Sequence, residues 1–426
     1  MSIQGVRGFN DIIDENSIQI WQKVESILKS YAERYGYHEI KLPYLEHSEL
    51  FQRGIGETSD IVNKEMYTFS DKNGQSITLR PEGTASCVRA AIEHNVLYEK
   101  SRKWYYLSPM FRRERPQKGR FRQFYQFGIE AIGIDEPYVD TEHLAMIDKI
   151  LKALGVREKT QLHINYLNKE QSRQAYKEAL RQYYNAHADL FDEVNRKRLD
   201  ENPLRILDSK DADIIRINQD APNIADYRSK EEQETLSKIM RILKEQGIDF
   251  VLNSKLVRGL DYYGGLIYEW IGDDLGAQST VCGGGRYDGL TEVLGGNQAN
   301  ATGFSIGIER LLLLLDGSTT AEKKIKITWL HESSTDLENS LTVIEAIRSR
   351  CPTIIIENNF HTGRLKNLLK KANKSDSQYI IIRCSSDETH KKPYILKDML
   401  SHQQTNVDLK DIISQFNTGE TNAKMD

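Results

Sequence analysis

The sequence predicts an α+β chain: a sheet domain interrupted by a helical segment and followed by a smaller α/β domain. Three observations predict it. Trp104 to Phe111 and Phe124 to Ile132 read as strands, and the polar loop Arg113 to Arg122 joins them into a long antiparallel hairpin. From about residue 168 to 250 strands give way to charged helices, and the sheet pattern returns at Leu256. From about Lys323 strands and helices alternate, as in a small domain around a largely parallel sheet.

The hairpin is where charge concentrates. Between Lys100 and Arg122 stand nine Lys or Arg residues and one acid, Glu114, in a chain whose net charge is -4. Aromatics interleave them: Trp104, Tyr105, Tyr106, Phe111 and Phe121. Arginine forks on a rigid sheet suit a polyanion, because guanidinium stays charged and pairs with phosphate bidentately. A merely solvated basic face is the bland alternative.

Composition narrows the class. A length of 426 residues suggests roughly two to four domains. No apolar run approaches the roughly 18 residues a membrane span needs, and MSIQGVRGFNDII lacks the apolar stretch of a signal peptide. The four cysteines, Cys87, Cys282, Cys351 and Cys384, lie far apart without CxxC spacing, which fits reduced thiols in a cytoplasmic protein and no metal knuckle.

In chain order, residues 16–35 carry Ile20, Val24, Ile27, Leu28 and Tyr31 on one helical face, and Gly36 stops the helix. An extended segment near Glu39 to Leu42 breaks at Pro43, as at a sheet edge. Residues 65–80 alternate around Asp-Lys-Asn-Gly, a hairpin. RPEGT then leads into a helix from about Ala85 to Tyr98, with Thr84 placed to cap it. Residues 138–154 read as a helix, 161–167 as a strand and 231–246 as the last helix of the charged segment. LVRGLDYYGGLIYEWIG reads as strand, turn, strand; QSTVCGGGRYDGL as strand, glycine cluster, helix; ATGFSIGIERL as strand into helix. DGSTTAEKK, 316–324, marks the boundary to the tail, whose basic run holds His361, Arg364, Lys366, Lys370, Lys371 and Lys374. That run is either a solvated face or a track for a phosphate backbone.

The chemistry-bearing residues gather in the sheet domain. Arg112, Arg120, Arg258 and Arg310 each stand in or next to a predicted strand, beside Glu82, Glu114, Glu130, Gln126, Tyr262, Tyr263 and Tyr287. Arginines along glycine-lined strands fit a nucleoside triphosphate, whose transfer chemistry needs positioning and charge stabilisation. Carboxylates with phenols fit a small cationic or amphoteric ligand. No Ser-His or Cys-His nucleophile stands out, and GGGRYDG matches neither phosphate-loop pattern. These residues support a nucleotide-using enzyme, with nucleic-acid binding open, and do not name the reaction.

FRRERPQKGRFRQFYQFGIEAIG resembles motif 2 of the class II aminoacyl-tRNA synthetases, GFSIGIERL resembles motif 3, and YGYHEIKLPYLE resembles motif 1, with Pro43 as its proline. LVRGLDYY and GGGRYDGL resemble the signature peptides of the histidyl-tRNA synthetases, and RGFNDI and TLRPEGT agree. RPQKGR and the compact length suggest the bacterial type. The resemblance implies an antiparallel sheet core flanked by helices over residues 1–167 and 251–320, a mostly helical insertion over 168–250 and an anticodon-binding domain over 325–426. It implies a homodimer with motif 1 at the interface, and ATP with Mg2+, L-histidine and tRNA as reactants.

It also implies roles. Arg112 would hold the α-phosphate and the amino-acid carboxylate, Arg258 would sit at the α-phosphate, and Arg310 at the γ-phosphate. Glu114 and Arg120 would lie by the adenine and phosphates. Glu82, Thr84 and Gln126 would bind the histidine backbone groups; Glu130 and Tyr263 would bracket the imidazole, with Tyr262 and Tyr287 nearby. Arg115 and Gln117 would meet the acceptor end of the tRNA. Two places depart from the family pattern, Tyr125 before Gln126 and the peptide Asn165 to Asn168, and neither touches an assigned role. The competing resemblance is the silent regulatory subunit of ATP phosphoribosyltransferase, which usually lacks the anticodon domain and degrades the signature peptides.

Overall fold

A computed structural model describes residues 2–57, 59–98, 100–168, 170–209, 211–272, 275, 279–315, 324–373, 375, 377–383 and 392–417. Most of the boundary stretch 316–324, with Lys374 and Cys384, lies outside them. The chain divides into two compact units, Met1–Ala321 and Glu322–Asp426.

In the first unit, helix α1 (Glu15–Arg34) starts where the Asp14 carboxylate accepts the Ser17 N–H at 2.8 Å. Strands β1 (His38–Glu39) and β2 (Leu45–His47), helix α2 (Ser48–Ile55) and the hairpin β3 (Tyr67–Ser70) and β4 (Ser76–Leu79) follow. Helix α3 (Thr84–Glu93) precedes the long hairpin of β5 (Arg102–Phe111) and β6 (Gln123–Ile132). Helix α4 (Val139–Ala153) and β7 (Thr160–Leu167) lead to helices α5 (Glu170–Asn185), α6 (Glu193–Glu201), α7 (Ala212–Ile217) and α8 (Lys230–Glu245). The unit closes with β8 (Val251–Leu252), β9 (Gly264–Gly272), β10 (Thr280–Arg286), α9 (Leu290–Val293), β11 (Ala301–Gly307) and α10 (Ile308–Leu314).

Eight strands form one sheet in the order β1-β5-β6-β11-β10-β9-β7-β8. The six central strands pair antiparallel, and the short edge strands β1 and β8 add in parallel. Side chains alternate between the faces, so register decides which residues share one. Glu130 pairs with Gly303, Gly128 with Ser305 and Gln126 with Gly307. Gly283 pairs with Ser305 and with Glu269, and Ser108 pairs with Gln126. These positions lie on one face. The other face turns Tyr105, Phe127, Ile129, Tyr268, Trp270 and Ile306 into a core shared with Leu28 of α1, Ile147 of α4 and Leu243 of α8.

Two expectations change. Leu256 to Tyr263 is not a strand but a loop between β8 and β9, so Arg258 sits on irregular backbone. Thr84 does not cap α3: its hydroxyl is committed to Glu130 (2.7 Å), and Glu82 caps in its place by accepting the Thr84 and Ala85 N–H groups at 2.8 Å. The predicted helix also ends early, at Glu93, before Asn95 with φ +48°.

The second unit holds a five-stranded sheet, β12 (Ile325–His331), β13 (Ile354–Thr362), β14 (Tyr379–Arg383), β15 (Tyr394–Asp398) and β16 (Gln404–Val407), in the order β13-β12-β14-β15-β16. Helices α11 (Ser334–Arg350) and α13 (Leu409–Phe416) pack on one face, and α12 (Leu365–Ala372) contributes Leu368 and Ala372 to a separate cluster with Ile380 and Ile382. Only β12 pairs in parallel, with β13 and β14, so the sheet is mixed rather than largely parallel. His361 belongs to β13, not to the basic helix.

Arg80 clamps the entry to the hairpin. It is fully buried, and its guanidinium donates to the carbonyls of Leu42 (2.9 Å), Pro43 (3.0 Å) and Pro109 (3.2 Å) and to the Ser108 hydroxyl. The proline segment is thereby tied to the end of β5. Replacing Arg80 with Met strands these acceptors without solvent. The variant is expected to lose at least about 2 kcal/mol of stability in urea denaturation; an unchanged midpoint would contradict the clamp.

Candidate active site

A cavity of about 270 Å³ opens over the glycine-lined face of the large sheet. Glu82, Thr84, Arg112, Glu114, Arg120, Gln126, Arg258, Tyr262, Tyr263 and Arg310 all line it. Residues more than 200 positions apart in the sequence are therefore neighbours, because β6, β10 and β11 lie side by side and α3 and α10 begin at their edges.

Glycine sets how close the side chains come. A Cβ on Gly283 would fall 2.4 Å from Arg258 Nη1, and one on Gly303 would fall 2.0 Å from Glu130 Oε2. Arg258 and Glu130 lie flat against strands that only glycine leaves bare.

One end of the cavity is acidic and phenolic. Glu130 is buried beneath it. Its Oε1 accepts from Thr84 Oγ1 (2.7 Å) and Tyr106 Oη (3.4 Å), and its Oε2 accepts from Tyr287 Oη (2.5 Å). Burial pushes its pKa up to about 8, against those hydroxyls and with Glu82 adding repulsion. Burial likewise raises Glu82, although two backbone N–H groups and Arg112 oppose it. Tyr262 stacks near Tyr263, with ring centroids 4.7 Å apart, and edge-on to Tyr287 at 5.7 Å. Two carboxyls crowded into a poorly solvated pocket favour a cationic guest.

The other end is cationic. Arg112 donates from Nε to the Pro81 carbonyl (2.9 Å) and stacks over Phe124 at 5.1 Å. Arg120 pairs with Glu114 across the hairpin loop, and Arg258 pairs with Glu269 beside Tyr263, 5.5 Å from its ring centroid. Burial works against the Arg258 charge, but Glu269 and Tyr263 outweigh it and raise its pKa. Arg310, in the first turn of α10, donates to the Gly119 carbonyl (3.1 Å) and the Thr280 carbonyl (2.8 Å). Burial, then Arg112 and Arg120, lower its pKa to about 10. Like charges crowded this way are relieved by a polyanion. Beyond the ion-paired Glu114 and Arg120, the buried atoms Gln126 Oε1 and Arg258 Nε at the cavity wall find no hydrogen-bond partner among the described residues.

The hairpin loop, the loop carrying Arg258 and α10 thus meet at the cationic end of the cavity, and the chain has known counterparts. A family model described as histidyl-tRNA synthetase matches residues 8–311. The chain belongs to the histidyl-tRNA synthetase family. It is 42% identical over 419 residues to a histidine–tRNA ligase of Marinomonas sp. (strain MWYL1), covering 97% of this chain and 98% of that protein. The apo histidyl-tRNA synthetase of S. aureus superposes with a TM-score of 0.81 at 31% identity, over 98% of this chain and all of that one. A structure from Bacillus halodurans C, described as an ATP phosphoribosyltransferase regulatory subunit/histidyl-tRNA synthetase, shares the fold with a TM-score of 0.64 at 21% identity, over 90% and 98% of the two chains.

Within this synthetase-family site, four of the expected residues stand apart from the cavity wall. Glu130 and Tyr287 lie behind it, joined to each other and to Thr84. Arg115 and Gln117 sit exposed on the hairpin tip, where Gln117 and Arg120 exchange backbone hydrogen bonds. The structure adds residues that sequence reasoning passed over. Glu269 of β9 pairs with Arg258, and its other oxygen accepts the Thr280 hydroxyl from β10 at 2.9 Å. Tyr106 backs Glu130, and Glu309 receives the Tyr125 N–H at 2.9 Å. Glu269 stands opposite Gly283 in the ladder, a signal available only once register is known.

Glu130 makes stability depend on pH. It stays protonated in the folded chain up to about pH 8, whereas its ordinary value is 4.5. The unfolded chain releases that proton earlier, so the contribution is complete below 4.5 and fades as pH rises through 8. Thermal unfolding is expected to show Glu130→Gln losing less stability than wild type across that window; parallel curves would contradict it.

Proposed function

We propose that the chain activates L-histidine with ATP and passes the histidyl group to the 3′-terminal adenosine of its tRNA. In the first step a histidine carboxylate oxygen attacks the α-phosphorus. The bond between the α-phosphorus and its bridging oxygen to the β-phosphate breaks, giving histidyl-adenylate and pyrophosphate. In the second, a ribose hydroxyl of the terminal adenosine attacks the acyl carbon, the bond from that carbon to the phosphate oxygen breaks, AMP leaves with the bonding pair, and the hydroxyl proton passes to solvent. One observation carries the reading: a single cavity joins an acidic, phenolic end to an end ringed by four arginines.

The ammonium of histidine would face Glu82 and Gln126 at the acidic end. The imidazole would lie among Thr84, Tyr262 and Tyr263, with Glu130 and Tyr287 fixing the pocket from behind. A site built from partnered polar groups discriminates against apolar rings, which would leave those groups unsatisfied. The carboxylate would then project toward Arg112. Arg112 and Arg258 would flank the α-phosphate, where fixed charge stabilises the pentacovalent transition state without reorganisation. Glu269 would keep Arg258 aimed. Arg310 would take the γ-phosphate, and Glu114 and Arg120 would lie by the adenine and phosphates.

Mg2+ would enter with ATP. No group of three or more His, Cys, Asp or Glu side chains among the described residues could hold a metal ion. An ion held mainly by phosphates and water takes one or two carboxylates, and Glu269 and Glu309, both on the cavity wall, would be candidates to supply them. The ion supplies neutralisation of phosphate charge.

Arg115 and Gln117 would meet the tRNA acceptor end. In the second unit, exposed Lys366, Lys370 and Lys371 of α12 would track its backbone in an anticodon-binding role. A homodimer would bury the proline segment, where Tyr44 and Leu45 are exposed. No described helix is long and apolar enough to cross a membrane; a cytoplasmic location is part of the proposal. The regulatory-subunit reading is the weaker one, because Arg112, Arg258 and Arg310 all stand in the cavity.

Exchange of labelled pyrophosphate into ATP, assayed with each amino acid in turn, tests the reading. Histidine alone is expected to support exchange. Exchange with a different amino acid and not with histidine would overturn it.

A further inference from the structure

The loop from Asn253 to Tyr263 carries Arg258, Tyr262 and Tyr263 outside any strand, so something else must hold it. Its first half hangs on Asn165, whose amide donates to the carbonyls of Ser254 (3.2 Å) and Leu256 (2.9 Å). Its tip is held from the helical segment. Arg205 lies in the short turn Pro203–Ile206 that follows α6, and it is buried. Its Nε and Nη2 donate to Asp261 Oδ1 at 3.1 and 2.9 Å, and Nη2 also donates to the Gly259 carbonyl at 3.2 Å. Asn202 Nδ2 donates to the same Oδ1 at 2.7 Å. From the opposite side the Asp261 N–H donates to the Ile55 carbonyl at 3.1 Å. Gly56, with φ +97°, approaches so closely that a Cβ would fall 2.2 Å from Asp261 Oδ2.

We propose that Arg205 is a positioning residue for the reaction. Through Asp261 and the Gly259 carbonyl it fixes the loop that aims Arg258 at the α-phosphate and Tyr262 and Tyr263 at the amino acid. This inference rests on the function proposed above. A planar fork gripping a carboxylate and a carbonyl together sets the loop's orientation as well as its distance; a lysine, as a point charge, does not. Misplacement of a transition-state group by about 1 Å costs on the order of a hundredfold in rate, so partial loosening of the tip is expected to show in the chemical step. The placement also makes the helical segment a support of the active site, although none of its described side chains lines the cavity. A second ion pair, Arg198 with Asp60 at 3.2 Å, ties α6 to the core, and Arg198 makes no hydrogen bond to the loop among the described residues; it provides the control.

The test is single-turnover adenylate formation by the full chain at saturating histidine and ATP, with thermal unfolding recorded on the same samples. Arg205→Lys and Asp261→Asn are each expected to slow the step by about tenfold or more. The double variant is expected to be no slower than the slower single, since both act through one contact. Arg198→Lys is expected to stay within about twofold of wild type. Folded Arg205→Lys and Asp261→Asn reacting at the wild-type rate would overturn the inference, and so would an equal loss in Arg198→Lys, which would mean that docking of α6 in general is what matters. Should Arg205→Lys fail to fold, Asp261→Asn decides the same question. Wild-type chain without histidine-dependent turnover would count against the proposed function itself; active wild type with unaffected variants counts against this inference alone.

Discussion

The constraint on which the site depends is a carboxyl group buried on a sheet of glycines. Glu130 has three hydroxyl donors, from Thr84, Tyr106 and Tyr287. It fits only because Gly303 leaves room across the ladder. Burying such a group favours its neutral form, and a second carboxyl, Glu82, strengthens the effect. The pocket is therefore held in a state that a cationic group would relieve. Under the proposed function, an amino acid with an ammonium and a basic ring would answer that imbalance, and the phenols of Tyr262 and Tyr263 would shape the wall.

The arginine end has the complementary imbalance. Arg112, Arg120, Arg258 and Arg310 converge from a hairpin, an irregular loop and a helix start, and each is held by a carbonyl or carboxylate of the protein. Burial first, and then repulsion by Arg112 and Arg120, lowers the pKa of Arg310. Positive charge assembled before the substrate arrives needs no rearrangement during the reaction, which is the main source of stabilisation in phosphoryl and nucleotidyl transfer. The two ends lie in one cavity, which is what the proposed attack of an amino-acid carboxylate on an α-phosphate requires.

Much of this was legible in the sequence. The long hairpin, the helices α1, α4 and α8 and the strand-to-helix passage at Gly307 follow from periodicity and glycine placement. The motif peptides carried ten of the expected residues to the cavity wall. What periodicity could not supply was register. Glu269, Tyr106 and Thr280 matter because of what lies opposite or above them, and nothing local in β9, β5 or β10 marks them. The loop at Arg258 reads as a strand because Leu256, Val257 and Leu260 are apolar, yet it is tied by side-chain amides and Arg205 instead of a ladder. Thr84 has the chemistry of a helix cap, but Glu130 outbids the backbone for its hydroxyl and Glu82 takes the capping role. In the second unit, β14 and β15 are too far apart in sequence to look like a hairpin, so their antiparallel pairing was hidden.

The most direct test of the central claim is a crystal structure of the chain bound to a non-hydrolysable histidyl-adenylate analogue. The account predicts the ammonium and imidazole at the end formed by Glu82, Thr84 and Tyr263, and the phosphate surrogate between Arg112 and Arg258. An analogue bound in the reverse direction, or outside this cavity, would contradict it.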